Sequence, residues 1–273
     1  MAERQDILDL ATNLKARGEV FALATVVRTV SVTAAKAGAK AVIRADGTIS
    51  SGWIGGGCAR AAVLKAARAA IADGQARLVS IQPKDLLDDL GVAPGEARDG
   101  IEFARNACPS QGTMDVFVEP VLPKPNLVIL GASPVAVALA DAARRAGFFV
   151  TVAADAADHA GFGEVDRLVD GFVIPGAETG ARMIVVATQG RGDRKALYAA
   201  LSSDVAHVAF VGSRRKAAAL RAELVADGIP SERAESFRAP AGADIGAITP
   251  DEIAVSILAE LIEVRRRGQR SPA

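Results

Sequence analysis

The segment Gly55-Gly56-Gly57-Cys58 is the part of this 273-residue sequence that points most directly to chemistry. Glycine can adopt positive φ and lets a backbone come close to a bound group. A cysteine at the start of a helix lies at the positive end of the helix dipole, which favours the thiolate, the form that attacks or binds a metal. The alternative is a small buried residue under a tight turn, because free cysteine is among the most buried residue types.

A second cysteine, Cys108, lies 50 residues further along the chain, in a polar segment that ends at Gly112. Two thiolates brought together would suit a soft metal such as Cu(I), or the transfer of sulfur. The sequence does not place Cys58 and Cys108 near each other, and Cys108 alone is typical of a loop or a buried position. Lys40 adds a cation to the same region, whereas Lys36 is better explained as a solvated residue.

A different glycine turn, Gly131-x-Ser133-x-x-Ala, follows an apolar segment in the second half of the chain. It resembles the dinucleotide fingerprint Gly-x-Gly-x-x-Gly/Ala, but Ser133 replaces the second glycine and Pro134 removes one backbone N–H. Asp155 lies 24 positions after Gly131, near the expected contact to a ribose. The pattern predicts a site for FAD or NAD(P), and the alternative is a Rossmann-like scaffold with a degenerate or vacant site.

The segment Gly212-Ser213-Arg214-Arg215-Lys216 follows another predicted strand. Ligands of open α/β sheets bind at the carboxyl ends of the strands, and N–H groups, a hydroxyl and three cations there would suit a phosphate or pyrophosphate. An ordinary helix start with solvated basic residues explains the same segment equally well.

Two domains must position these residues, and the prolines between Pro120 and Pro125 make a stiff connector between them. The predicted domains are residues 1–122, a smaller α+β domain, and residues 127–273, an α/β domain with a Rossmann-like parallel sheet; residues 123–126 are the linker. In the first domain we expect helices at 6–17 and 58–72 and strands at 21–27, 39–43, 48–53, 77–81 and around 114–118, with an irregular segment at 83–112. In the second we expect strands at 127–130, 148–153, 172–174, 183–187 and 208–211, with helices after Gly131 and at 194–201 and 216–227.

The last predicted helix begins with a capping box, Thr249-Pro-Asp-Glu252. Apolar side chains from Ile253 to Ile262 form one wide stripe on this helix, and Gly268 is the expected stop. Such a stripe offers apolar surface to a second copy of the chain, so we expect a homodimer.

Composition excludes several classes of protein. With 32 basic and 32 acidic residues, the chain lacks the net positive charge typical of nucleic-acid binding. With 4% aromatics, it has few side chains on which bases could stack. No apolar run spans a bilayer and the N-terminus lacks a signal sequence, so we expect a cytoplasmic protein without a membrane span. Two cysteines make no disulfide framework, and His159 and His207 are best explained as structural or surface residues.

These segments, in this order, resemble the XdhC/CoxI family of accessory proteins of molybdenum hydroxylases. The segment Gly52-Trp-Ile-Gly-Gly-Gly-Cys58 is similar to the family's Gly-Ser-Ile-Gly-Gly-Gly-Cys motif, and Gly38-Ala-Lys40 matches its Gly-Ala-Lys. Further matches are Val116-Phe-Val-Glu-Pro120, the Gly212–Lys216 segment, and the long stretch from Pro240 to Ile253. The resemblance covers nearly the whole chain.

The resemblance implies a maturation factor that binds the molybdenum cofactor, in many members as the cytosine dinucleotide of molybdopterin. It implies two partners, a cysteine desulfurase that helps to sulfurate the cofactor and an apo molybdenum hydroxylase that receives it. Cys58 and its glycines would contact the cofactor or handle its sulfur.

Two segments depart from the family pattern, namely Ser31-Val-Thr-Ala-Ala-Lys36 and Cys108-Pro-Ser-Gln-Gly112. This variant looks most like the CoxF-type branch, which is associated with carbon monoxide dehydrogenase and its Mo, sulfide and copper centre. An alternative function, from a different class of protein, is a nucleotide- or flavin-dependent oxidoreductase that works through the Rossmann-like domain. Against it stand Ser133, Pro134 and the lack of a recognisable catalytic His or Tyr-x-x-x-Lys pair.

Overall fold

A computed structural model describes residues 6–109, 111–176 and 182–266 of the protein. The chain divides between Pro123 and Lys124 into two compact units, called here the first and the second unit. Among the described residues, no helix is both long enough and apolar enough to cross a membrane.

The first unit is built on a seven-stranded mixed sheet. Its helices are α1 (Ile7–Ala16), α2 (Gly57–Asp73) and α3 (Lys84–Leu90). Its strands are β1 (Phe21–Val30), β2 (Lys40–Arg44), β3 (Ile49–Gly52), β4 (Arg77–Gln82), β5 (Ala97–Arg98), β6 (Ile101–Arg105) and β7 (Thr113–Val121). The strand order is β3-β2-β1-β7-β4-β6-β5, and every neighbouring pair is antiparallel except β4 and β6.

Side-chain alternation sends the two faces of this sheet to different helices. Val26 of β1 and Val116 of β7 lie in the core under α2, which contributes Val63 and several alanines. The opposite face carries Phe21 and Val42, which pack against α1. Alanines on α2 carry little bulk, so they let the helix lie close to the β-branched face of the sheet.

Two expectations for the first unit were wrong. Residues 83–112 are not irregular, because they contain α3, β5 and β6, and Phe103 of β6 packs with Leu87 of α3 in a small core of its own. Pro120 belongs to β7 rather than to the connector. Proline is tolerated there because the pairing of β7 with β4 stops at Val118, so beyond that residue β7 pairs with β1 only.

The second unit has the parallel Rossmann-like sheet that the sequence predicted. Its strands are β8 (Asn126–Leu130), β9 (Phe149–Ala154), β10 (Arg167–Asp170), β11 (Arg182–Val186) and β12 (His207–Phe210). Its helices are α4 (Pro134–Arg145), a 3-10 helix (Ala156–Gly161), α5 (Asp193–Leu201), α6 (Arg214–Ala226), α7 (Ser231–Ser236) and α8 (Pro250–Arg266). All pairs are parallel in the order β10-β9-β8-β11-β12, with α4 and α8 packed on one face and α5 and α6 on the other.

One predicted strand of this sheet was misplaced. The strand lies at Arg167–Asp170 and not at residues 172–174. It is an edge strand in which half of the residues face solvent, so it lacks the continuous apolar run that marks a buried parallel strand. Phe172 instead turns back after the strand and packs against the core that α5 and α6 cover.

The capping box of α8 was predicted correctly. The N–H of Glu252 donates to Thr249 Oγ1 at 3.3 Å, and the Glu252 carboxylate accepts from the N–H of Thr249 at 2.9 Å. The apolar stripe of α8 is used inside the second unit, where Ile257 and Leu261 are fully buried beside α4. The stripe therefore leaves little apolar surface for a second copy, and the homodimer stays a prediction. The expected stop at Gly268 lies outside the described residues.

A buried carboxylate fastens α8 to the rest of the second unit. Glu260 is 1% exposed; it accepts hydrogen bonds from the Nε2 of His207 at 2.7 Å and from the backbone N–H of Gly242, and it forms an ion pair with Arg238, whose Nε lies 3.3 Å away. Because a buried carboxylate is costly without partners, this network joins the start of β12, the segment before α8 and α8 itself into one arrangement.

We predict that Glu260→Ala destabilises the second unit by about 3 kcal/mol, because it leaves two hydrogen-bond donors and the Arg238 guanidinium without their common partner. Glu260→Gln keeps an acceptor oxygen and should cost less. Urea unfolding followed by circular dichroism measures both variants, and Trp53 fluorescence reports the first unit, which should unfold as in the wild type. Equal stability of wild type and Glu260→Ala would show that the network contributes nothing.

Candidate functional site

The glycine segment of the first unit connects β3 to the start of α2. Gly55 has a φ of +110° and lies against the side chain of Met114. Gly56 is the N-cap residue of α2, Gly57 is its first residue and Cys58 its second. Because glycine offers no capping side chain, the first-turn N–H groups of α2 receive no cap from Gly56.

Cys58 is exposed and forms no disulfide, so the alternative of a small buried cysteine under the turn is wrong. Its place in the first turn of a 17-residue helix is where the dipole and free N–H groups favour an anion. This location allows the thiol to meet a bound group or another protein without any change in packing.

Gly55 needs to be glycine because of its positive φ, whereas the fold does not require glycine at Gly56 or Gly57. A Cβ built on either residue would meet nothing within 4 Å, and the φ of Gly56 is −82°, which any residue adopts. Gly57 is likewise outside the positive-φ region. The absence of side chains at these two positions is therefore not required by packing or by the backbone, and it leaves an open, uncovered stretch of backbone beside Cys58.

Cys108 lies in the loop between β6 and β7 and is also exposed. Its N–H donates to Asn106 Oδ1 at 2.9 Å, and Asn106 Nδ2 donates to the carbonyl of Gly112 at 2.6 Å, so one amide side chain holds both ends of the loop. The loop enters β7 just before Met114, against which Gly55 lies. The two cysteine segments therefore approach the same end of the sheet.

Lys40 is not brought to Cys58. It alternates along β2 with Ala41, which lies in the core under α2, so the lysine projects from the opposite face. There its Nζ donates to Thr25 Oγ1 at 3.1 Å.

Among the described residues, no group of three or more His, Cys, Asp and Glu side chains is arranged to hold a metal ion.

The second unit has a crevice of about 280 Å³ at the carboxyl ends of its strands. It is centred on Gly131, where the chain leaves β8, beside Thr188, which follows β11. The sheet reverses its strand order between β8 and β11, and open α/β sheets bind ligands at such a point. Its volume is just below the roughly 300–1,000 Å³ of ligand pockets, so it could take part of a dinucleotide.

Carboxylates line one side of the crevice and cations the other. Asp155 and Asp170 come from the ends of β9 and β10 and Asp158 from the 3-10 helix after β9, whereas Arg191 and Lys195 come from the turn before α5 and its first turn. Arg191 pairs across with Asp158 at 3.1 Å. The sequence placed Gly131 and Asp155 at such a site, but it gave no sign of the other four residues, which come together only through the crossover from β10 to β11.

A buried carboxylate holds the cationic side in place. Asp193 is 6% exposed and accepts from the hydroxyl of Thr188, from the N–H of Gly190 at 3.2 Å and from the ammonium of Lys216. Burial opposes ionisation of Asp193, but the hydrogen bonds from Lys216, Thr188 and Gly190 outweigh it and hold the pKa of the carboxyl below its ordinary value of 3.8. Asp193 thus stays charged and fixes the turn that carries Arg191.

The fingerprint turn itself is only partly equipped for a pyrophosphate. Ser133 is buried and caps α4, since its Oγ accepts from the N–H of Ala136 at 3.2 Å, and Pro134 has no N–H to offer. Gly131 serves the fold, because a Cβ there would lie 2.7 Å from the carbonyl oxygen of Ala187. The start of α4 therefore presents fewer backbone donors than a Gly-x-Gly turn would.

The Gly212–Lys216 segment is also largely structural. A Cβ on Gly212 would collide with the ring of Phe210, and Ser213 caps α6 by accepting from the N–H of Lys216 at 3.2 Å. Lys216 is paired with Asp193. Arg214 and Arg215 are exposed in the first turn of α6 and do not line the crevice.

Two protein-family models match the chain. One, described as the XdhC and CoxI family, matches residues 14–82, and the other, described as the XdhC Rossmann domain, matches residues 127–261. The first match contains the glycine segment with Cys58. The second contains the whole crevice.

Curated relatives span more sequence than this chain does. The chain is 28% identical over 270 residues to the uncharacterized protein YqeB of Escherichia coli (strain K12), covering 96% of the chain and 47% of the relative. It is 31% identical over 165 residues to a probable xanthine dehydrogenase subunit of Bacillus subtilis (strain 168), covering 57% and 47%. The chain thus spans about half the length of these relatives. A crystal structure described as a xanthine dehydrogenase from Bacillus halodurans aligns with 95% of the chain and 96% of its own, at 18% identity and a TM-score of 0.47.

We predict that Asp193→Asn lowers the free energy of unfolding of the second unit by roughly 1–3 kcal/mol near neutral pH, since it removes a buried charge with three donors. Folding lowers the pKa of Asp193, so its stabilising contribution is complete above the ordinary value of 3.8 and is lost as the pH falls through the lower folded value. Urea unfolding at decreasing pH should show the wild type approaching the variant in the acid range. A difference that stays constant down to the acid limit would contradict this role, and Asp141→Asn on the exposed side of α4 is the matched control.

Proposed function

The chain carries both domains of the XdhC and CoxI family, and from this premise we propose that it is a maturation factor for a molybdenum hydroxylase. In this role it binds the molybdenum cofactor through the glycine segment of the first unit and delivers it to the apo-hydroxylase. Similarity to a probable xanthine dehydrogenase subunit supports a partner of the xanthine dehydrogenase type.

The observation that carries the proposal is the pair Gly56 and Gly57. Gly56 is the N-cap residue, where glycine is well tolerated, but Gly57 is a helical residue, where glycine costs up to about 1 kcal/mol of stability relative to alanine. Neither packing nor backbone conformation explains that cost here, because both positions are open and neither needs positive φ. A group that approaches the backbone from outside does explain it, because a side chain at either position would stand in its way.

The segment also fits the cofactor chemically. The cofactor supplies molybdenum on a pterin, together with phosphate. The chain supplies free N–H groups at the start of α2, which bind an anion such as a phosphate, and an exposed thiol in the same helical turn. These features support the proposal that Cys58 contacts the cofactor or handles its sulfur, with a cysteine desulfurase as the sulfur source.

A finer proposal concerns the branch of the family. The departures at Ser31–Lys36 and Cys108–Gly112 favour the CoxF-type branch, with carbon monoxide dehydrogenase as the hydroxylase. In that case the approach of the two cysteine segments to one end of the sheet, through Gly55 and Met114, would suit a role for Cys58 and Cys108 in holding Cu(I).

The second candidate function is a nucleotide- or flavin-dependent oxidoreductase, and the crevice at the centre of the parallel sheet favours it. Bound flavin would give visible absorption bands in the purified chain. Oxidation of NADH or NADPH by the chain alone, without a hydroxylase, would support this candidate over the first.

We predict that Cys58→Ser folds as the wild type does, because the side chain is exposed, and that a hydroxylase co-produced with it remains inactive. Activity and sulfur content of the purified hydroxylase measure the effect. Cys108→Ser tests whether the second thiol takes part. A fully active hydroxylase matured with Cys58→Ser would refute the role of this thiol.

We also predict that Gly57→Ala is as stable as the wild type or more stable by up to about 1 kcal/mol. The same variant should retain the cofactor roughly tenfold less well, equal to about 1.4 kcal/mol, because its methyl group occupies the open backbone. Molybdenum and pterin content after co-expression with the cofactor pathway measures retention. Gly163→Ala, at another open glycine without positive φ, is the control, and equal retention by both variants would rule out backbone contact at Gly57.

A further inference from the structure

The crevice of the second unit has hydrogen-bond acceptors that its own chain does not fill. Asp155 Oδ1 accepts from the N–H of Ala157 at 3.1 Å, and Asp170 Oδ1 accepts from the N–H of Ala156 at 2.9 Å. Within the described ranges, the second carboxylate oxygen of each has no donor. These contacts fix the two carboxylates in position while leaving one oxygen of each open to a ligand hydroxyl.

The opposite side has a cation without a partner among the described residues. Lys195 lies in the first turn of α5 and lines the crevice, and no described carboxylate pairs with its ammonium group. Arg191 is already paired with Asp158. Lys195 therefore supplies a positive charge where Ser133 and Pro134 have reduced the number of backbone donors for a phosphate.

We propose that this crevice binds the ribose diol and the diphosphate of a nucleoside diphosphate group. Asp155, with Asp170 beside it, accepts from the ribose hydroxyls, and Lys195 pairs with the diphosphate in place of the missing amide donors. The identification of Lys195 and Asp170 deepens the second candidate function, and it also suits a cofactor that ends in a nucleotide.

The same geometry selects against a phosphate on the ribose 2′-hydroxyl. Such a group would stand beside Asp155 and Asp170, with Asp158 also in the lining, and Arg191 of the same crevice is already paired with Asp158. Like charges held together in a crevice repel strongly, so a 2′-phosphorylated nucleotide binds weakly.

Calorimetric titration of the full chain, purified without the molybdenum pathway, tests the site with ADP and CDP as probes. We expect stoichiometric binding of at least one of them, and Lys195→Ala should weaken it roughly tenfold, whereas Lys65→Ala on α2 leaves it unchanged. Preference for ADP would indicate an adenine dinucleotide, and preference for CDP a cytosine dinucleotide. Binding of neither probe, or equal binding by wild type and Lys195→Ala, overturns the proposal.

A second titration tests the carboxylate side with ADP-ribose and its 2′-phosphate. The wild type should bind ADP-ribose at least about tenfold more tightly. Asp155→Asn keeps the contact to Ala157 but removes the charge, so the ratio should shrink, and Asp141→Asn should leave it unchanged. Equal affinity of the wild type for the two probes contradicts the assignment. Since these titrations involve no molybdenum, their failure would leave the role of Cys58 standing.

Discussion

The ends of the central strands of the parallel sheet can lie close together only because Gly131 has no side chain. The residue follows β8 with a φ of +108°, and a Cβ would lie 2.7 Å from the carbonyl oxygen of Ala187, directly after the neighbouring strand β11. Its N–H donates to the carbonyl of Ala153 at 3.0 Å, so the turn connects the ends of three central strands. This connection places Asp155 on one side of the crevice and Thr188 on the other. A larger residue at Gly131 would have to separate the strands and would displace both sides at once.

Some glycines are required by the packing of the fold, whereas others have no structural explanation and could instead leave room for a ligand. Gly131 and Gly212 are explained by neighbours that a Cβ would strike. Gly56 and Gly57 have no such neighbours, and their backbone suits any residue. The fold thus accounts for the glycines of the second unit that looked like ligand contacts, and it leaves unexplained those beside Cys58, which is where we propose that the cofactor binds.

The sequence predicted elements wherever one strong local signal determined them. Continuous apolar runs revealed the buried strands β8, β9, β11 and β12, and Thr249 with Glu252 marked the start of α8. Residues 83–112 were missed because their short helix and strands bury a small separate core, which leaves a mostly polar sequence. β10 was missed because it is a half-exposed edge strand. In both cases tertiary packing, rather than local pattern, decides the structure.

The candidate sites were predictable to the extent that each lies within one segment. The glycine segment and Cys58 are contiguous, so their chemistry could be recognised directly. Asp170, Thr188 and Lys195 meet Gly131 only after the chain crosses the sheet, and only their positions just beyond strand ends could have indicated them. Lys40 shows the converse, since it is close in sequence to the glycine segment but lies on the other face of the sheet.

The most direct test of the proposed cofactor role is the molybdenum, pterin and nucleotide content of the full chain purified after co-expression with the molybdenum-cofactor pathway. We expect molybdenum and pterin in stoichiometric amount with the chain. A chain that carries no molybdenum but holds a stoichiometric adenine nucleotide would contradict that role, and would assign the working ligand to the second unit.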